Sequence, residues 1–125
     1  KDSDGNFIIH GSKMWTSRAE HSDLMLLLAR TEDPARHRRD QLTCFLVDMR
    51  DQPGLTIKPV KTMMNHSSTA VFFDGVRVPH KNVIGGVGNG FRTILKGMNA
   101  ERVLIGAECI GDGRYFVDKA TEYAK

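Results

Sequence analysis

The stretch Thr69-Ala70-Val71-Phe72-Phe73-Asp74-Gly75-Val76-Arg77-Val78 decides how the chain is read. β-Branched and aromatic residues fill both sides of the turn-forming pair Asp74-Gly75, so it reads as two strand segments joined by a turn or a bulge. The segments upstream of it read the same way. Leu55 to Val60 alternates, and Pro59, which has no N–H to give to a ladder, places it at a sheet edge or a strand end. Gln52-Pro53-Gly54 is a turn. Leu42 to Met49 is apolar and rich in strand formers. Thr31 to Gln41 is polar, contains Pro34 and reads as a loop. Asp23 to Arg30 holds the continuous apolar run Leu24-Met25-Leu26-Leu27-Leu28-Ala29. Residue type alone leaves a helix open there, but its length and its neighbours favour a strand buried on both faces. At the start of the chain, Asn6 to His10 and Lys13 to Ser17 flank Gly11-Ser12, a spacing that predicts a tight hairpin.

Downstream the pattern changes after Gly85-Gly86. Phe91, Ile94, Leu95 and Met98 recur at helical spacing over Gly88 to Met98. Asn99 is a suitable N-cap for a second helix from about Ala100, with Val103, Leu104, Ala107 and Ile110 as its first apolar stripe. Gly106, Gly111 and Gly113 lower helix propensity. They point to close packing by another helix, or to a break near Gly111-Asp112-Gly113. Strands followed by helices make an α+β chain with a boundary near Gly86.

The 125 residues suit about one domain. The chain begins with Lys1, and Thr121 to Lys125 stops inside a helical pattern, so both ends read as cut from a longer protein. No apolar run is long enough to cross a bilayer. The formal net charge is +3, much of it from Arg36-His37-Arg38-Arg39. That run is short, lacks aromatics and lies beside Glu32, Asp33 and Asp40, which favours a solvated loop tip over a nucleic-acid surface. Cys44 and Cys109 lack metal spacing and read as buried free thiols in preference to a disulfide. His10, His21, His37, His66 and His80 are scattered, so no metal site is expected. The glycines from Gly85 to Gly90 lack the lysine of a P-loop and read as a connection between domains. Met63-Met64 fits either a core or a pocket lining.

Six motifs in register resemble the acyl-CoA dehydrogenase family. Gly11-Ser12-Lys13-Met14-Trp15-Thr16-Ser17 resembles its flavin segment. Asp23-Leu24 with Leu27-Leu28-Ala29-Arg30 resembles the next strand. Phe45-Leu46-Val47-Asp48 with Pro53-Gly54-Leu55 resembles the strand and turn that follow. Phe72 to Pro79, with Asn82 and Gly85, resembles a further family segment. Gly88-Asn89-Gly90-Phe91 resembles the glycine-rich start of the helical part, and Glu101-Arg102 the start of its long helix. The resemblance implies an antiparallel β-barrel or sandwich-like middle domain over residues 1–86. Residues 87–125 would then hold the first helices of an all-α bundle.

It also implies an FAD-dependent α,β-dehydrogenation of an acyl-CoA thioester to a trans-2-enoyl-CoA. The electrons would pass to an electron-transfer flavoprotein, and the full-length protein would be a homodimer or homotetramer. No nucleic acid or membrane partner is expected. The compartment would be the cytoplasm in a bacterium or the mitochondrial matrix in a eukaryote. Alone, the chain would carry only part of the flavin crevice, so it is expected to be inactive and to hold FAD weakly. The alternatives are an acyl-CoA oxidase or related flavin oxidase, or a non-catalytic flavoprotein on the same scaffold that binds nucleic acid.

By this resemblance Trp15 packs near the flavin ring, the Thr16 backbone contacts it, and Ser17 hydrogen-bonds near flavin N5. Without the motif, Trp15 reads as a core tryptophan and Ser17 as a turn serine. Glu101 matches a first-turn position at which some family members carry the catalytic base; others carry it later, beyond Lys125. The competing reading is a glutamate placed to meet the positive end of the helix dipole. Arg102 would order substrate and the active-site backbone, or else pair with a carboxylate. Asn99 would contact the pantetheine arm, although aspartate is commoner there. A carboxylate base must reach the α-proton, and donors aimed at the thioester oxygen would stabilise the charge that develops on it.

Overall fold

A computed structural model describes residues 1–31, 35, 37–63 and 67–125. The readings of Glu32, Asp33, Pro34, Arg36, Met64 and His66 lie outside the described residues. The elements are β1 (Phe7–Ser17), β2 (Leu24–Arg30), β3 (Leu42–Asp48), β4 (Leu55–Val60), β5 (Ser68–Val78), β6 (Val83–Ile84) and α1 (Gly90–Ala124), with short 3-10 turns between some of them. The strands form two antiparallel three-stranded sheets, ordered β1-β5-β4 and β2-β3-β6. Their inner faces meet in one core built from Phe7, Ile9, Val71, Phe73, Val76 and Val78 on one side and Met25, Leu27, Phe45 and Val47 on the other. Phe7 and Phe45 meet edge to face, with ring centroids 5.0 Å apart. Each fully buried side chain of this kind contributes about 1.5–3 kcal/mol through removal from water. The α+β, sandwich-like arrangement is the one expected, and β4 is an edge strand, as Pro59 requires.

Three local expectations fail. The hairpin at Gly11-Ser12 does not form: β1 is one strand that pairs with β5 from Phe7↔Val78 to Ser17↔Ser68. Its partner is equally long, so continuing the ladder satisfies more backbone groups than folding β1 back on itself. The join at Asp74-Gly75 is a bulge: Ile9 pairs with Val76 but His10 with Asp74, leaving Gly75 as the extra residue, at φ +73°. Next, β2 is buried on one face only. Met25 and Leu27 point into the core, whereas Leu24 and Leu26 are 52% and 53% exposed. Strand alternation puts successive residues on opposite faces whatever their hydrophobicity.

The third concerns the helices. Asn99 does not cap a second helix, because α1 runs unbroken through it and through Gly111-Asp112-Gly113. An interior Asn or Gly costs about 0.5–1 kcal/mol, too little to end a helix that keeps its i→i−4 bonds on both sides. Among the described residues, nothing lies within 4 Å of the place a Cβ would take on Gly106, Gly111 or Gly113. Cys109 is exposed, while Cys44 is buried and burial pushes its thiol pKa up.

The chain divides into two compact units, residues 1–91 and 92–125. The start of α1 belongs to the first. A Cβ on Gly90 would fall 2.6 Å from the backbone N of Cys44, 2.6 Å from the carbonyl carbon of Thr43 and 2.8 Å from a Leu28 methyl. Only glycine lets α1 begin against the backbone of β3. The buried Thr43 secures the same junction. Its Oγ1 accepts from the Gly88 N–H at 2.9 Å and shares a hydrogen bond with Thr31 Oγ1 at 2.8 Å. Among the described residues, no helix is long and apolar enough to cross a membrane.

At the opposite end of the β1–β5 ladder, the Asp2 carboxylate accepts from Asn6 Nδ2 at 3.1 Å and from Arg77 Nε at 3.0 Å. The Asn6 hydrogen bond, then Arg77, hold its pKa down at about 2, against a desolvation that acts the other way.

Helix propensity alone would make Gly90→Ala stabilising by at most about 1 kcal/mol, the value for a helix interior, and Gly90 is the first residue of α1. The backbone overlap reverses the sign, and a net loss of roughly 2–3 kcal/mol is expected in denaturant unfolding. For Asp2 the folded pKa lies below the unfolded value of about 3.8. Its contribution is therefore complete above that value and disappears as pH falls toward about 2. Thermal midpoints of wild type and Asp2→Asn should differ at pH 6 and converge at pH 2.

Candidate functional site

The far end of β1 is shaped by a second irregularity. Lys13 pairs with Val71 and Thr16 with Thr69, so Met14 and Trp15 together face Ala70 alone. Such a two-against-one bulge bends the strand and re-aims its side chains. Trp15 takes the strain, at φ +61°, a region that bulky L-residues rarely enter. Its indole is 65% exposed, which excludes the core-tryptophan reading for the first unit. Thr16 is half-buried and Ser17 exposed. The structure thus gathers the three predicted cofactor residues at one strand end, with an open aromatic face followed by two hydroxyls.

Two hydrogen bonds flank the bulge. On its C-terminal side, Thr69, fully buried, donates from Oγ1 to the Thr16 carbonyl at 2.7 Å. On its N-terminal side, Lys13 Nζ donates to the Leu28 carbonyl of β2 at 2.9 Å. Sequence reading passed over both residues. Lys13 lies inside the Gly11–Ser17 segment, and Thr69 lies at a strand start where nothing local marks its hydroxyl as buried.

The second unit carries the remaining predicted residues. Asn99, Glu101 and Arg102 are exposed on α1, and Arg102 Nη1 reaches Asn99 Oδ1 at 3.5 Å. Glu101 is not in a first turn: α1 starts at Gly90, about three turns earlier at 3.6 residues per turn. The dipole reading of Glu101 therefore fails, because the field of a helix end is confined to its terminal turn. Arg102 has Asn99, not a carboxylate, as its hydrogen-bond partner along the helix.

Residues 1–76 match the family model for the acyl-CoA dehydrogenase middle domain. The chain belongs to the acyl-CoA dehydrogenase family. It is 38% identical over 128 residues to the short/branched chain specific acyl-CoA dehydrogenase of Rattus norvegicus, covering 99% of this chain and 29% of that protein. Against the human very long-chain specific enzyme, identity is 37%, covering 94% of this chain and 19% of that protein. The chain therefore spans less than a third of the length of these relatives. Among solved structures, an acyl-CoA dehydrogenase from Geobacillus kaustophilus superposes with a TM-score of 0.75 at 26% identity, covering 84% of this chain and 28% of that one. A steroid acyl-CoA dehydrogenase, Tcur3481-Tcur3483, gives 0.74 at 33% identity, covering 82% and 26%.

Thr69→Val keeps the shape of the side chain and removes the donor to Thr16. Loss of a buried hydrogen bond with its acceptor left behind costs about 1–3 kcal/mol. A drop of that size should appear in equilibrium unfolding, whereas Ser67→Ala, whose carbonyl alone accepts from Arg18 N, should change little.

Proposed function

We propose that this chain is the flavin-facing part of the middle domain, over residues 1–86, and the start of the helical domain, over residues 87–125, of an FAD-dependent acyl-CoA dehydrogenase. The observation that carries this reading is the exposed Trp15-Thr16-Ser17 end of β1 in a chain of this family. The segment fits such a cofactor. An exposed indole offers a flat apolar surface to a ring system, the backbone at Thr16 lies beside it, and the exposed Ser17 hydroxyl offers a donor to a ring heteroatom. When bound, FAD supplies the acceptor for the hydride leaving the β-carbon of the acyl chain.

In this reading the protein's own groups handle the proton, the orientation and the solvent. The Glu101 carboxylate takes the α-proton of the thioester. For that it must lie within hydrogen-bond reach of the α-carbon, on the face away from the flavin. Arg102 and Asn99, held side by side on the helix, order the substrate chain, Asn99 through the pantetheine arm. Trp15 excludes water from its side of the ring, and the Ser17 hydroxyl donates toward the ring edge. A product trans-2-enoyl-CoA, an electron-transfer flavoprotein as electron acceptor and a homo-oligomeric assembly complete the proposal.

The experiment is anaerobic addition of a panel of acyl-CoAs to the purified, flavin-loaded full-length protein that carries this chain, following the oxidised-flavin absorbance. Wild type should bleach with at least one chain length. Glu101→Gln should bind that substrate and bleach at least about 10²–10⁴-fold more slowly, the usual contribution of a positioned base. Equal rates would place the base outside this chain. Absence of bleaching in wild type with every substrate would overturn the dehydrogenase reading.

A further inference from the structure

The bulge that presents Trp15 lies where the two sheets come side by side without a shared ladder. β1 is an edge strand of one sheet and β2 an edge strand of the other. The carbonyls of β2 turned away from β3 therefore need a partner other than a strand. Lys13 supplies one. It stands opposite Val71, on the face of the ladder that carries Phe7 and Ile9, and its ammonium crosses the seam to the Leu28 carbonyl at 2.9 Å. Lys13 is also the last paired residue before the bulge, as Thr16 is the first after it. Met14 and Trp15 are thus bracketed. The strand is fixed to the opposite sheet on one side and to its neighbour β5, through Thr69 and Thr16, on the other.

A bulky residue at positive φ relaxes toward an extended conformation unless its surroundings hold it. The backbone ladder does not hold Met14 and Trp15, because the bulge leaves them two against one. We propose that Lys13 is a positioning residue: its hydrogen bond to the Leu28 carbonyl fixes the bulge in the conformation that turns the Trp15 indole and the Ser17 hydroxyl toward the flavin. This rests on the flavin site proposed above. Lys13 acts through Trp15 and does not itself touch the cofactor.

The test uses the full-length protein that carries this chain, prepared as apoprotein and reloaded with FAD. Lys13→Met keeps an unbranched stem and loses the donors; Lys13→Arg returns a cationic donor. Three readouts are needed: FAD affinity by flavin fluorescence titration, the visible circular dichroism of bound flavin, and the thermal midpoint of the apoprotein. Lys13→Met should weaken FAD binding by about 3- to 10-fold, the scale of one charged hydrogen bond partly screened by water. It should also change the visible dichroism, and Lys13→Arg should restore most of both. Arg77→Met, which removes the ion pair to Asp2 at the other end of the same ladder, should lower the apoprotein midpoint and leave both flavin readouts unchanged.

If Lys13→Met lowers only the midpoint, or changes nothing, the proposal is overturned and the hydrogen bond is structural at most. If Trp15→Leu and Ser17→Ala also leave affinity and dichroism at wild-type values, the flavin site itself falls, and the role of Lys13 falls with it.

Discussion

The pairing of β1 with β5 is the constraint on which the first unit depends. β5 lies between β1 and β4 and sets the register of both. Side chains alternate along a strand, so a change of parity anywhere would turn the remaining apolar residues outward. β5 buries Val78 and Val76, then Phe73, Val71 and Thr69. The first pair has even numbers and the others odd. Gly75, as the extra residue between them, makes both sets face one core. One glycine at φ +73° settles the parity of the whole strand.

A second contact decides where the helix begins. α1 can start at Gly90 only because no side chain stands between its first turn and the Thr43–Cys44 backbone. Thr43 completes the seat from below by accepting from Gly88. Two small residues thus convert the glycine-rich connection into a defined junction. Here a motif that resembles a flexible linker by composition is fixed by close approach of backbone to backbone, a role only a missing Cβ allows.

Much of this was legible in the sequence, and the failures share a cause. Strands β2 to β5 and the change to helix were readable because hydrophobic period and turn residues are local signals. Pro59 marked an edge because a missing N–H has the same meaning in every sheet. The Gly11-Ser12 hairpin failed because nothing local says that an 11-residue partner strand waits in β5. Asn99 failed as a cap because capping and interior positions differ by less energy than a continuous hydrogen-bond ladder supplies. Leu24 and Leu26 were read as buried on hydrophobicity, yet the pleat assigns faces by parity. At the candidate site, Trp15, Thr16 and Ser17 were found through resemblance. The bulge that exposes them, and the hydroxyl of Thr69, depend on a partner 53 residues away in sequence.

The energetics of Trp15 tie fold to function. A bulky residue at positive φ costs about 1–3 kcal/mol, and an indole left 65% exposed recovers little of that by burial. An ordinary extended residue at this position would lower the energy of the first unit taken by itself. The strained arrangement nevertheless has dedicated support, from a fully buried threonine on one side and a lysine across the seam on the other. Stabilising interactions spent on an exposed aromatic make sense when the aromatic has a partner to meet. A planar ring system laid against the indole would remove its apolar face from water and find Thr16 and Ser17 at its edge. In that arrangement the strain prepaid by the core becomes preorganisation, since the bulge does not have to form at the moment of binding.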